Sequence, residues 1–233
     1  EGADIDLYKP IETKEITSID LSSIKEDFAY LFVGHWLQGD IGEDRKNVGL
    51  LVKAFYETFK NKSKKPALIL KTSIGGTSYM DREEILKRIA QIRQTVGSVN
   101  VPNVYLLHGE FADNEINQLY NHPKVKAMVS LTKGEGFGRP LLEFSLVKKP
   151  IITTNWSGHL DYLDGEFVSL VGGEVKPVHA SAVVPNMILA ESSWFSPDPS
   201  YVGHYLKDVF ENYKKYSENA KRQAYRSRSE FSY

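Results

Sequence analysis

Short apolar runs alternate with stretches whose apolar residues recur every three or four positions along most of this 233-residue chain. Ala29-Tyr-Leu-Phe-Val33, Ala67-Leu-Ile-Leu70, Val104-Tyr-Leu-Leu107, Ala127-Met-Val-Ser-Leu131 and Ile151-Ile-Thr-Thr154 are brief and β-prone, and read as buried strands. Between them, Val48, Leu51, Val52, Phe55 and Phe59 mark one helix face, and Ile85, Ile89, Ile92 and Val96 another. Ile116, Leu119 and Tyr120 define a shorter helix, and Leu142 and Leu146 share a face at i, i+4. Asp81 with Glu84 three residues on predicts a helix start, and Asp113 predicts another. Tyr205, Leu206, Val209, Phe210 and Tyr213 predict a C-terminal amphipathic helix whose basic end, Lys214 to Arg228, reads as a solvated face. Strands alternating with helices predict an open parallel α/β sheet. Residues 11–27 carry no period and read as an irregular lead-in. Residues 165–199 are the least periodic part of the second half, and read as a long loop that is functional or packed as its own element.

Composition narrows the classes. Thirty acidic residues against 29 basic ones give a formal charge of −1, which gives no overall pull toward nucleic acid or an anionic membrane. The absence of cysteine excludes disulfides, thiolate metal sites and a cysteine nucleophile. No apolar run is long enough to span a bilayer and no signal-peptide pattern opens the chain, so a cytoplasmic location is the expectation. The sequons at Asn61 and Asn155 are then read as chance matches. His108, His122, His159 and His204 fit no spaced metal cluster.

The most specific chemistry lies in Glu135-Gly-Phe-Gly-Arg-Pro-Leu-Leu-Glu143. Two carboxylates flank a glycine-broken turn that leads directly into a helix. Glycines let backbone N–H groups approach a ligand closely, and Pro140 suits the first helical position, where its missing N–H costs nothing. The free N–H groups form an anion site with a carboxylate on either side. Such a set suits an anionic ligand rich in hydroxyls. Lys148-Lys149 are placed for the helix C-terminus, and Pro150 ends it. Strand, loop, helix and the Ile151 strand make one β-α-β unit, followed by a turn at Asn155-Trp-Ser-Gly158. Gly134, Gly136 and Gly138 alternate at spacing two, which is not the dinucleotide fingerprint. The plain alternative is a glycine turn that merely connects strand to helix.

The segment from Ser130 to Leu163 resembles the donor-site motif of retaining glycosyltransferases of the GT-B fold, family 4 type. The resemblance implies a Rossmann-like open parallel sheet with helices on both faces, which is one half of a GT-B fold. It implies that residues 1–27 are an interdomain lead-in, since Glu1-Gly-Ala-Asp-Ile-Asp-Leu-Tyr-Lys-Pro10 is similar to the segment opening that half. Residues 28–233 would then be the nucleotide-sugar-binding domain, with an N-terminal acceptor domain of the same protein absent. The donor substrate would be a nucleoside-diphosphate sugar, with neither cofactor nor metal.

By the same resemblance, Lys46 binds the donor phosphates and Glu143 the ribose. Glu135 lies near the transferred sugar, and the amides of Gly136, Phe137, Gly138 and Arg139 meet sugar hydroxyls and the β-phosphate. Lys46 and Glu135 are the residues assigned to catalysis, and the base is expected by Gly109 to Phe111. The family usually carries a second basic residue after the glycine of the first strand, where this chain has His35. An imidazole cannot form the two-pronged contact of a guanidinium, and Arg45 is the candidate replacement. Arg45-Lys46 also reads as an ordinary exposed basic pair. Two other functions stay open: a sugar-nucleotide-binding module without transfer activity, which the His35 departure favours, and a GT-B nucleotide-sugar epimerase.

Overall fold

The computed structural model describes all 233 residues. Six parallel strands form one sheet: β1 (Ala29–His35), β2 (Ala67–Ser73), β3 (Val104–Leu107), β4 (Val125–Ser130), β5 (Ile151–Thr154) and β6 (Ser169–Val171). Their order is β3-β2-β1-β4-β5-β6, a doubly wound Rossmann-like arrangement. The order reverses between β1 and β4, so the loops leaving these two strands flank one crevice. That is where ligands of open α/β sheets bind.

The pleat explains how both faces are buried. In β1, Tyr30 and Phe32 enter one core with the apolar faces of α1 (Val48–Phe59), α2 (Tyr79–Val96) and α5 (Pro199–Glu211). Ala29 and Leu31 enter the other, with α3 (Asp113–Asn121), α4 (Arg139–Ser145) and residues of the lead-in. Every apolar position assigned to α1 and α2 is buried. The lead-in is irregular apart from one turn at Thr13–Glu15, yet Ala3, Tyr8, Leu21 and Ile24 pack into the second core.

Several local expectations are corrected. The helix at Asp81 starts two residues earlier, because Ser78 caps it by accepting from the Asp81 N–H at 3.1 Å. The Asp81 carboxylate instead accepts from the N–H groups of Ile74, Gly75 and Gly76, and sits 2.7 Å from His108 Nε2. Asp113 lies inside α3 rather than capping it, and Glu115 reaches back to the Ala112 N–H at 2.7 Å. Pro140 takes the second helical position, because α4 begins at Arg139. Lys149 does not serve its own helix. Its ammonium donates to the Tyr120 and His122 carbonyls at the end of α3, and burial pushes its pKa down to about 7.

Residues 165–199 are packed as elements of their own, with an irregular stretch left between residues 178 and 192. They hold β6 and an antiparallel ribbon of β7 (Gly173–Pro177) and β8 (Ser193–Pro197). The expected single C-terminal helix is two, broken at Asn212. The Asn212 N–H bonds to the Asp208 carbonyl, and its side chain donates to the Asp208 carboxylate at 2.7 Å, closing α5. The second helix, α6 (Tyr213–Glu230), keeps Lys214, Lys215, Lys221, Arg222 and Arg228 exposed. Its other face ties to the sheet domain through Gln223, whose Nε2 donates to the Tyr162 carbonyl, and through Ser227, 2.7 Å from Ser145 Oγ. No helix is long and apolar enough to cross a membrane.

Candidate functional site

The loop after β1 carries the cations to the crevice. Arg45 and Lys46 stand just ahead of α1, where Asn47 turns the chain with φ of 59°. Asp44 is fully buried beneath them and accepts from the Val48 N–H at 2.9 Å and the Gly49 N–H at 3.4 Å. Burial pushes its pKa up to about 6 against the pull of those two donors. The N-terminus of α1 is therefore closed by the chain's own carboxylate, and an anion in the crevice would meet side chains there rather than helix amides.

The loop after β4 is built differently. The N–H groups of Gly136, Phe137, Gly138 and Arg139 make no hydrogen bond within the chain, so four consecutive donors are open. Neighbouring residues fix the loop's shape. Ser157 Oγ accepts from the Glu135 N–H at 3.0 Å and donates to its carbonyl at 2.6 Å, and the Gly158 N–H reaches the same carbonyl. The Tyr162 hydroxyl lies 2.8 Å from the Phe137 carbonyl and 2.6 Å from that of Gly138, so it donates into this carbonyl pair. Gly138 has φ of 81°, and Ser157 takes φ of 86°, a strained value for a residue with a Cβ. At Gly158 a Cβ would sit 2.0 Å from the Gly136 carbonyl oxygen. Gly158→Ala is expected to cost about 2–3 kcal/mol through overpacking and to displace the donor loop; thermal unfolding and a nucleotide titration of the variant check it.

Both motif carboxylates are paired. Glu135 forms an ion pair with Lys46 and lies 3.8 Å from Arg45, which also donates to the Gly134 carbonyl at 3.2 Å. Glu143 pairs with Arg139 at 3.1 Å across one helical turn. Its side chain is only 8% exposed, against 63% for Arg139, and burial pushes its pKa up to about 7 while Arg139 pulls it down. The structure thus joins Arg45, Lys46, Glu135 and the open amides of residues 136–139 in one crevice, with Glu143 one helical turn on. His35 is not joined to this set. It is exposed at the end of β1, and its one hydrogen bond is to Ser73 Oγ at 3.2 Å.

Sequence reasoning missed several contributors. Tyr8 of the lead-in is buried close to Glu143, Asp113 and Arg139, and burial followed by the Glu143 charge raises its pKa well above the usual phenol range. Asp44, Tyr162 and the Ser157 hydroxyl shape the two loops; Ser157 and Tyr162 lie within the recognised segment without an assigned role, and Asp44 has no motif of its own. At the third-strand loop, Lys71 Nζ donates to the Gly109 carbonyl at 2.7 Å and lies 4.6 Å from the Phe111 ring centre. Phe111 is partly buried against the second core. His159 is buried, with Nε2 2.6 Å from the Thr154 carbonyl, and burial lowers its pKa. No cluster of three His, Asp or Glu side chains is placed to hold a metal ion.

No protein-family model matches the chain, and a search of curated proteins finds no match. Among solved structures, the C-terminal domain of a glycosyl transferase group 1 family protein from Francisella tularensis superposes with a TM-score of 0.66 at 16% identity, covering 99% of both chains. HepE of Anabaena, solved in complex with UDP-glucose, gives 0.66 at 17% identity over 99% of this chain and 52% of its own. Sucrose-phosphate synthase from Thermosynechococcus elongatus gives 0.65 at 16% identity over 99% of this chain and 47% of its own. This chain spans about half the length of those two proteins. At such identities the likeness is one of fold: the chain has the Rossmann-like architecture of one half of GT-B glycosyltransferases.

Proposed function

We propose that this chain is the donor-binding domain of a glycosyltransferase that takes its sugar from a nucleoside diphosphate. The observation that carries the reading is the meeting of four open backbone N–H groups with Lys46 and Arg45 at the switch point of the sheet. Amides and cations converging in a crevice are what a diphosphate requires. Glu143, one helical turn beyond the open amides, supplies a carboxylate for ribose hydroxyls. A fold-level likeness to HepE, which was solved with UDP-glucose, supports the same reading by analogy.

In this reading the glycosidic bond to the β-phosphate breaks through an oxocarbenium-like transition state. Charge grows on the departing phosphate, and the open amides and Lys46 stabilise it. The reaction proceeds with retention, as in the family 4 type that the motif resembles, and Glu135 acts beside the transferred sugar rather than as a nucleophile. An N-terminal domain outside these 233 residues holds the acceptor, and residues 1–27 lead from it. The chain alone is therefore expected to bind a nucleoside diphosphate and to transfer nothing, because the acceptor is not held in register. Calorimetry together with a transfer assay on defined acceptors tests this, and turnover by the chain alone would refute it. Release of free nucleotide with an isomerised sugar would instead indicate an epimerase.

The pairing of Lys46 with Glu135 adds a consequence. A diphosphate competes with this carboxylate for the same ammonium. Glu135→Gln is expected to tighten nucleoside diphosphate binding about fivefold, on the order of 1 kcal/mol, because the mostly buried ammonium no longer has to leave a carboxylate. Titration of the variant with nucleoside diphosphate checks it, and weaker binding would place Lys46 elsewhere in the bound state.

The exposed position of His35 favours the second reading, a sugar-nucleotide-binding module without transfer activity. Transfer measured with the acceptor domain present separates it from the first.

A further inference from the structure

Trp156 lies in the turn that holds Glu135, yet it contributes little to the core. It keeps 42% of its surface exposed. Its ring lies nearly parallel to that of Phe195, with 5.9 Å between centres and 5° between planes. Phe195 is itself buried, in the β8 edge of the ribbon. Both residues are tied to the chain beside Glu135. Ser157, next to Trp156, exchanges two hydrogen bonds with the Glu135 backbone, and the Phe195 N–H donates to the Lys133 carbonyl at 3.0 Å. An indole stacked on a buried ring, and adjacent in sequence to a serine bonded to the Glu135 backbone, is an orientated, half-exposed apolar surface on the turn that shapes the crevice loop.

We propose that Trp156, braced by Phe195, is a stacking platform for a pyranose ring. A pyranose has an apolar C–H face and a rim of hydroxyls, and it is recognised by an aromatic face with polar groups beside it. Here Asn155, exposed, precedes the indole in sequence, and Ser157, which accepts from the Glu135 N–H, follows it. The stack on Phe195 sets the indole's orientation beforehand, so little side-chain freedom is lost when the sugar docks. The ring it takes comes either from the donor, as the transferred sugar, or from the end of a glycoside acceptor that the N-terminal domain presents to this chain. Coupling the platform to transfer rests on the donor-site reading above; the stacking itself does not.

The test uses the 233-residue chain, with Trp156→Ala and Trp156→Phe, the latter keeping a ring on Phe195 should the alanine variant not fold. Calorimetry is run with UDP, GDP and ADP, with their glucose or mannose conjugates, and with free glucose, mannose, maltose and cellobiose. Tryptophan fluorescence of the parent chain is followed in parallel, with Trp156→Phe identifying the signal of this indole against Trp36 and Trp194. If the platform takes the donor sugar, Trp156→Ala weakens the nucleotide sugar about tenfold, the factor of a well-placed aromatic contact, and leaves the bare diphosphate unchanged. If it takes an acceptor ring, both nucleotide ligands are unchanged and saccharide binding is lost. In either case Trp156→Phe retains part of the affinity and loses the fluorescence change. Saccharide binding that depends on Trp156 without any nucleotide binding would keep the platform and overturn the donor-site reading. The platform is overturned if no saccharide, free or nucleotide-linked, depends on Trp156, or if none binds at all.

Discussion

Replacing Arg45 and Lys46 together by alanine is expected to lower nucleoside diphosphate affinity by about a hundredfold or more, while a nucleoside without phosphates binds as before. The loss corresponds to roughly 3 kcal/mol, within the range for removing partners of a desolvated charge. Lys46 is the larger contributor, because its ammonium is mostly buried beside Glu135, whereas Arg45 is 37% exposed and more strongly screened. The four open N–H groups remain in the variant, so residual binding is expected. His35→Ala serves as the control and should change affinity little, because His35 lies outside the cation cluster and bonds only to Ser73. Titrations of the parent chain, the double variant and the His35 variant with one diphosphate and its nucleoside make the comparison. A double variant that binds the diphosphate unchanged would remove the β1 loop from the site.

Glu143 should give opposite effects on binding and on stability. Glu143→Gln is expected to weaken nucleoside diphosphate binding by about 1.5–3 kcal/mol, because a charge-assisted hydrogen bond to the ribose is lost. The same substitution is expected to make the folded chain more stable at pH 8, on the order of 1–2 kcal/mol. The sign follows from the raised pKa. Burial lifts this carboxyl to about 7 in the folded chain, against about 4.3 when unfolded. The folded chain then holds the proton more tightly, so stability falls as pH rises from about 4.3 through 7. Above that window the full cost of an ionised, buried carboxylate is present, and glutamine removes it. Below pH 4 the parent and variant should converge. Thermal unfolding of both from pH 4 to pH 8 checks the trend, and a gap that does not change with pH would mean that Glu143 is not desolvated as described. A carboxylate kept at a cost to the fold is the pattern expected of a ligand contact.

The sheet was legible because its signals are local. Each predicted strand is an apolar run matching an observed one to within a few residues, and the α1 and α2 stripes fall on buried faces. The glycine motif was legible because two glycines, a proline and two glutamates have chemical meaning at fixed spacing. What stayed hidden depends on distant partners. The strand β6 is three residues long, and β7 is exposed throughout, so neither shows an apolar period. Asp81 reads as a helix cap in isolation, but Ser78 and the residue 74–76 amides decide otherwise. The lead-in carries Tyr8 to Glu143 across 135 positions of sequence, and no local pattern reports that contact. Lys149 read as a charge at its own helix end, whereas its carbonyl partners lie on α3. The departure at His35 was visible in the sequence; in the structure that side chain is exposed and bonds to Ser73, while Arg45 and Lys46 lie beside Glu135.

The central claim is that the crevice between β1 and β4 holds a nucleoside diphosphate. A crystal structure of the chain with whichever of UDP, GDP or ADP binds tests it most directly. The expected result places the diphosphate oxygens about 2.7–3.2 Å from Lys46 Nζ and from N–H groups of residues 136–139, with the ribose hydroxyls at a similar distance from the Glu143 carboxylate. The Lys46–Glu135 pair would be opened by the ligand. A nucleotide bound away from these groups, or no binding by any of the three, would contradict the account.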